Sequence, residues 1–321
     1  MTSPAYNPKI SIGIPTFNRR DYMLATVQSA LEQTYANIEV IVSDNASTDD
    51  TWEHLKAISD PRLKLLHQSA NLGMTGNFNA TLHAATGDLF LPLSDDDLLA
   101  PTAIEKLSRP FREPMPGTTP QTVGLTWCPC ININSEGHDL WQTRSGPLVE
   151  SPVALLEGLF TGKRGTQFSA TMIRTQDARD AGGYNDDRYG VLCDTGNWGK
   201  VALRYKHVVC IQEPLMRYRV HSASDTGHAN CEDWQTWANH QILDFAAILY
   251  AQHDLAGKKR IERVRGNLLA QITVTVLMRY IGKPGWKSLF AREIWKARSF
   301  MFTPFVAKRV LKDGWKLLRL K

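Results

Sequence analysis

The chain has 321 residues, 43% hydrophobic and 21% charged, which is enough to build one large domain or two modest ones and argues against wholesale disorder. Its five cysteines (Cys128, Cys130, Cys193, Cys210 and Cys231) are odd in number and form no CxxC pair, so neither a disulfide framework nor a zinc site is expected, and a reducing compartment is. The opening "MTSPAYNPKISIGIP" lacks a basic segment followed by a long apolar one, and no uncharged apolar run of about 18 residues occurs. No signal peptide and no membrane span are therefore expected.

In chain order, "KISIGIP" places Ile10, Ile12 and Ile14 on one face and reads as a first strand. Asn18 to Arg20 open a helix whose Leu24, Val27 and Leu31 recur at helical spacing. "IEVIVS", 38–43, has the β-branched, nearly continuous apolar character of a strand buried on both faces. "DNASTDDT" is dense in turn and cap residues, and a short helix with Trp52, Leu55 and Ile58 follows. "LKLL", 63–66, reads as a third strand. A third helix carries Phe78, Leu82 and Ala85 and stops at Gly87. "DLFLPL" is a fourth strand, in which Pro92 suggests an edge or a bulge.

Four short strands alternating with helices imply a doubly wound, mostly parallel α/β sheet. Beyond residue 107 the pattern loosens. Residues 108–121 read as a Pro-rich loop, "TVGLTWCPCININ" as strand, "SPVALLEGLF" as helix and "ATMIRT" as strand. "HVVCIQEPLMRYRVH" reads as two strands turning at Pro214, and from Trp234 the chain is mostly helical. The organisation expected is a nucleotide-binding half (1–107), a second half of the same domain (108–230) and a helical C-terminal region (231–321).

In doubly wound sheets ligands bind beyond the carboxyl ends of the strands. Each of the four strands ends there in a polar cluster: residues 15–19, 43–47, 67–71 and 94–97. The last holds three consecutive aspartates, Asp95, Asp96 and Asp97. Adjacent carboxylates repel, so something positive should face them. A helix cap explains one acidic residue well and three poorly. The sharper reading is a site for Mg²⁺ or Mn²⁺, which prefer carboxylate oxygens: one or two of the aspartates would hold the ion and a diphosphate would complete its shell.

The motifs together resemble the inverting family 2 glycosyltransferases of the GT-A fold. The strand ending Pro15-Thr16-Phe17-Asn18-Arg19 matches the family's Pro-Thr-Tyr-Asn-Arg, and Ser29 to Thr34 its Ser-hydrophobic-x-x-Gln-Thr helix end. Ser43 to Thr51 match its Val-Asp-Asp-Gly-Ser-x-Asp-x-Thr. Asn71-Leu72-Gly73, with Asn77 and Asn79, matches its Asn-x-Gly element. Ser94 to Asp97, with Pro101, match its acidic motif. The match runs almost unbroken over residues 9–107 and patchily to about residue 225.

The resemblance implies a nucleotide-sugar donor held by Pro15, Thr16, Phe17 and Arg19, by Asp44 and Asn45, and by Asn71, Gly73 and Asn77. Asp44 would accept the imide N–H of a uracil or thymine. Asp96, helped by Asp95, would hold Mn²⁺ or Mg²⁺ on the diphosphate; Asp95 would also border the donor, and Asp97 would fix the loop or touch the donor sugar. Ser94 stands where relatives carry a first aspartate, so the metal rests on Asp95 and Asp96. Asn45 stands where a second aspartate is common. "Leu192-Cys193-Asp194-Thr195-Gly196-Asn197-Trp198" fits the family's acidic motif with an aromatic four positions on, making Asp194 the general base. "RYRVH" resembles the family's Tyr-Arg-x-His, with His221 completing the metal shell and Arg219 balancing the diphosphate.

Residues 283–321 carry 11 Lys and Arg against 2 Asp and Glu, leaving 26 against 30 in the rest. A slightly acidic body argues against nucleic acid as a partner. The basic tail, with Trp286, Leu289, Phe290 and Ile294 at helical spacing, suggests peripheral attachment to the anionic inner face of the cell membrane. The acceptor implied by the resemblance is a glycan or lipid-linked saccharide of bacterial surface polysaccharide synthesis. The donor expected is UDP-hexose or UDP-N-acetylhexosamine, with dTDP-rhamnose second. Two rival enzyme classes fit less well: no Walker-type or Asp-x-Asp-x-Thr motif supports phosphoryl transfer, and "PTFNRR" lacks the glycines of a sugar nucleotidyltransferase. An inactive sugar-nucleotide-binding module would not need Asp96 and Asp194.

Overall fold

The computed structural model describes residues 6–184, 187–221 and 231–278, together with Ser288 and Arg292. The first hundred residues fold as the apolar alternation requires. Strands Ile10–Thr16 (β1), Ile38–Asp44 (β2), Leu63–His67 (β3) and Leu89–Pro92 (β4) run parallel in the order β3-β2-β1-β4. Helices Arg20–Leu31 (α1), Thr51–Lys56 (α2) and Gly73–Ala84 (α3) connect them. Ile10, Ile12 and Ile14, with Val40 and Val42, are buried in one core with Met23 and Val27 of α1 and Leu55 of α2. The other face of β1 is closed tightly. A Cβ at Gly13 would lie 2.5 Å from the Thr81 hydroxyl of α3 and 2.6 Å from the Phe90 ring, so only glycine lets helix and strand approach this far.

The sheet continues beyond β4 through Thr171–Arg174 (β10), Val123–Trp127 (β6), His207–Cys210 (β11) and Val149–Glu150 (β9), with β10 and β9 running against the rest. Pro92 is thus not on an edge strand, as its sequence suggests, because β4 lies between β1 and β10. The Leu89 and Leu93 N–H groups donate to Lys9 and Gly13 of the β1 segment, so by alternation the nitrogen of Pro92 faces the β10 side. There the pairing has already ended, at Phe90, and the missing donor is not needed. A second sheet, in the order β5-β12-β7-β8, holds Leu98–Leu99 (β5), Met216–Arg219 (β12), Cys130–Ile133 (β7) and Asp139–Gln142 (β8). It receives the chain directly from the acidic cluster.

A helix, Ala103–Arg112 (α4), replaces the start of the expected loop and runs through Pro110. Burial of Ile104, Leu107 and Phe111 offsets the loss of one helical hydrogen bond. The expected boundary at 107/108 falls inside this helix. Further helices are Pro152–Phe160 (α5), Thr175–Asp180 (α6), Cys193–Ala202 (α7), Cys231–Ala251 (α8) and Leu255–Met278 (α9).

The chain divides into two compact units. The first holds 1–155, 164–185 and 197–221, including both sheets; the second holds 156–163, 186–196 and 222–321. Within the second, Ala238 of α8 and Leu269 and Ile272 of α9 share a small core. There the Tyr189 hydroxyl donates to Asp244 at 2.6 Å, and Arg260 pairs with Glu157. Among the described residues no helix is long and apolar enough to cross a membrane. The expected membrane-facing tail, 283–321, lies outside the described residues save Ser288 and Arg292.

Candidate active site

The loops leaving β1 and β2 are tied together by short polar side chains. Asn18, in the left-handed region at φ 51°, accepts the Thr48 N–H at 2.7 Å on its side-chain oxygen, and its own N–H donates to the Ser47 hydroxyl at 2.9 Å. Asn45 donates to the Asn71 side chain at 2.9 Å and accepts the Leu72 N–H at 2.8 Å. Gly73, at φ 73°, opens α3. Asn77 is buried and donates to the Ser43 and Thr16 carbonyls at 2.9 and 3.3 Å. Asn45, Asn71, Gly73 and Asn77 thus all shape the rim of the strand ends.

Thr16, Asp44 and His67 stand in register across β1, β2 and β3, so their side chains share one face of the sheet. Asp44 is fully buried. Its Oδ2 accepts from His67 Nδ1 at 2.8 Å and from the Ser47 N–H at 3.3 Å. Its Oδ1 has no partner among the described residues. Pro15 is buried beside Thr16, and Phe17, the next residue, is exposed.

The acidic loop after β4 has an internal division of labour. Asp97 is fully buried: its Oδ2 accepts the Ser169 hydroxyl at 2.6 Å and its Oδ1 the Arg219 N–H at 3.0 Å. The Ser94 N–H donates to that same Ser169 hydroxyl at 3.0 Å. Burial, and then the neighbouring Asp96 charge, hold the Asp97 carboxyl well above the ordinary aspartate range. Asp97 therefore fastens the loop to both sheets. Asp95 is pushed up to about 7 by burial and by the Asp96 charge, with the Arg19 guanidinium pulling the other way. Asp96 faces two basic groups. Arg19 Nη1 lies 2.6 Å and His221 Nε2 2.8 Å from its Oδ2, and Arg19 is also 3.7 Å from Asp95.

Arg219, expected to balance the diphosphate, is held by backbone carbonyls around the acidic loop. Its Nε donates to the Asp96 carbonyl at 2.9 Å and its Nη1 to the Asn134 and Ser135 carbonyls at 3.1 and 2.8 Å. The guanidinium stacks 4.6 Å over the Tyr22 ring. These contacts hold the acidic loop against β12 and the 134–135 turn, leaving Nη2 alone for any phosphate.

Two carboxylates and an imidazole are a suitable donor set for Mg²⁺ or Mn²⁺, and a cation there would relieve the repulsion that raises Asp95. The three groups do not stand ready as a cage, however. Among the described residues no three His, Cys, Asp or Glu side chains are arranged to hold a metal ion. Both His221 and Arg19 are directed at Asp96 itself. His221, expected to complete a metal shell, stands at that corner, its Nε2 2.8 Å from Asp96 Oδ2.

Asp194 belongs to the second unit, in the first turn of α7. Its Oδ1 accepts the Thr195 N–H at 2.6 Å and the Thr195 hydroxyl at 3.2 Å. Burial pushes it up to about 6, against those hydrogen bonds. A carboxyl at that value is ionised at neutral pH and basic enough to take a proton.

Sequence reasoning did not single out His67, Tyr22 or Ser169. His67 was the legible one, since it ends β3 directly opposite Asp44. Ser169 lies 72 residues from Asp97, and no local pattern announces that contact.

The profile of the family described as "Glycosyl transferase family 2" matches residues 11–125, the segment that runs from β1 through the acidic loop into β6. The chain is 30% identical over 231 residues to the Mycobacterium tuberculosis protein MT1568, covering 68% of each. It is 41% identical over 95 residues to the Escherichia coli "UDP-Glc:alpha-D-GlcNAc-diphosphoundecaprenol beta-1,3-glucosyltransferase WfaP", a stretch covering 30% of this chain and 38% of that one. In fold it is similar to S. aureus TarS 1-349, solved in complex with UDP-GlcNAc, with a TM-score of 0.57 at 14% identity over 91% of this chain and 90% of TarS. With these likenesses the chain belongs to glycosyl transferase family 2, and its two-sheet α/β architecture is that of a GT-A glycosyltransferase.

Proposed function

We propose that this chain transfers a sugar, with inversion and metal dependence, from a nucleotide-diphosphate donor to a hydroxyl of a glycan or lipid-linked acceptor in bacterial surface polysaccharide assembly. UDP-hexose or UDP-N-acetylhexosamine is the donor favoured, with dTDP-rhamnose second. The named substrates of WfaP, UDP-Glc and a diphosphoundecaprenol-linked GlcNAc, support both donor and acceptor class. On this reading 1–107 is the donor half, 108–230 the acceptor half, and the basic tail holds the enzyme at an anionic membrane surface.

The observation that carries the proposal is the gathering of Asp95, Asp96, Arg19 and His221 beyond β1 and β4, with Asp95 pushed up to about 7 beside a second carboxylate. Such a corner is under-neutralised by the protein alone. Asp96 and Asp95 would hold the cation, which supplies charge neutralisation for the departing diphosphate. Arg19 and His221, released from Asp96, would turn their N–H groups toward the phosphate oxygens. Asp44 would accept from the base, with Pro15, Thr16 and Phe17 beside it. Asn45, Asn71, Gly73 and Asn77 would keep that rim in shape, and Asp97 and Arg219 would hold the loop at its position.

In the displacement the acceptor oxygen bonds to the anomeric carbon as the bond from that carbon to the diphosphate oxygen breaks. The bonding pair leaves with the diphosphate, and the hydroxyl proton passes to Asp194. The test is a nucleotide-sugar panel scored by thermal shift, with Mn²⁺ present or chelated. The donor should raise the melting temperature only with metal, and Asp96→Ala should abolish that shift. A shift that survives in Asp96→Ala contradicts the metal assignment.

A further inference from the structure

The proposed donor site contains a device for telling bases apart. Asp44 offers two carboxylate oxygens, but they are not equivalent. Oδ2 already accepts from His67 Nδ1 at 2.8 Å and from the Ser47 N–H at 3.3 Å. Oδ1 is buried and accepts nothing from the described residues. A buried carboxylate oxygen without a donor is unfavourable, and a ligand that supplies one N–H recovers the loss. Because a carboxylate only accepts, the His67 proton sits on Nδ1. The ring that carries it packs against Trp52, with centroids 4.5 Å apart and planes tilted by 30°.

Uracil and thymine present one imide N–H between two carbonyls. Guanine presents two adjacent donors, N1–H and the exocyclic amine, and pairs best with both oxygens of a carboxylate at once. With one oxygen occupied, Asp44 satisfies the first kind of edge and leaves a guanine donor unpaired. We infer that His67 is the specificity-determining residue of the donor site: by occupying Asp44 Oδ2 it restricts the site to a single N–H and so selects uridine and thymidine diphosphates over guanosine diphosphate. His67 acts here through Asp44, as a positioning residue. The inference rests on the donor-site reading above.

The test is calorimetric titration of the full chain with UDP, dTDP and GDP in the presence of Mn²⁺. Wild type should bind UDP and dTDP at least about tenfold tighter than GDP, the discrimination expected from one unpaired buried donor. His67→Ala should weaken UDP about tenfold and narrow the UDP-to-GDP ratio. His67→Asn, whose side-chain amide can donate, should restore that ratio. Should the alanine variant not fold, His67→Phe keeps the packing against Trp52, lacks the donor and gives the same readout. A ratio unchanged by losing the His67 donor overturns the inference, as does a wild type that binds GDP as tightly as UDP. Asp44→Ala separates the two levels. If it binds UDP as wild type does, the donor-site reading itself fails. If it loses UDP while the His67 variants keep the wild-type ratio, only the role of His67 fails.

Discussion

The large sheet carries a buried carboxylate group at each end, and the two ends behave oppositely. At the amino end of β2, Glu39 accepts from Lys9 Nζ at 2.8 Å, from the Ser11 hydroxyl at 2.5 Å and from the Thr86 N–H at 2.6 Å. Burial alone would raise its pKa, yet these bonds outweigh burial and take it down to about 2. At the carboxyl end, Asp95 is buried beside Asp96 and is pushed up to about 7, while Asp44 keeps one oxygen unpartnered among the described residues. A carboxylate that the protein itself neutralises belongs to the architecture. One that the protein leaves short of donors belongs to a ligand. Burial does not separate the two; the inventory of donors does.

The comparison breaks first, if it is wrong, at the carboxyl end. Asp96→Ala should lower sugar transfer about a thousandfold, since the charge on the departing diphosphate loses its counterweight, while the melting temperature without ligand barely changes. Asp194→Asn should lower kcat by about 10²–10⁴ and leave donor binding intact in calorimetry. Because Asp194 must be ionised to accept the proton and sits at about 6, kcat/KM of wild type should rise as pH increases through about 6. The residual rate of the asparagine variant should lack that limb.

The amino end should answer in stability alone. Glu39→Gln should cost about 1–3 kcal/mol in denaturant unfolding at pH 7, with donor affinity unchanged. The folded pKa is depressed to about 2, so the contribution of Glu39 is present above its unfolded value of about 4.3 and is lost as pH falls from there toward 2. The variant and wild type should converge in acid. Gly13→Ala sharpens the same point without any charge: the added methyl has no room against Thr81 and Phe90, which should destabilise by about 1–3 kcal/mol, seen as a lower denaturation midpoint.

The parallel half of the fold was legible because its strands are short and apolar, and each ends where turn and cap residues begin. The donor-side loops were legible for the same reason: strand ends line up, so polar clusters after β1, β2 and β4 had to meet. What the sequence hid is set by tertiary packing. Three consecutive aspartates look alike in one dimension. The Ser169 hydroxyl and the Arg219 N–H mark Asp97 as the one that anchors the loop. Pro110 read as a helix breaker because the burial of Phe111 beside it cannot be seen from propensity. Nothing local marks Glu39 as neutralised, because its donors arrive from β1 and from the turn before β4. The carbonyls of residues 134 and 135 that close on Arg219 come from a distant turn that nothing local announces.

The most direct test of the central claim, that the acidic corner beyond β4 awaits a cation shared with a nucleotide diphosphate, is the melting temperature of wild type and Asp96→Ala with UDP and Mn²⁺ together, each alone, and neither. The account predicts stabilisation of wild type by the pair well beyond the sum of the two alone, near 2.7 kcal/mol at about a hundredfold excess over Kd, and none in Asp96→Ala. Equal stabilisation of both proteins, or none in either, would contradict it.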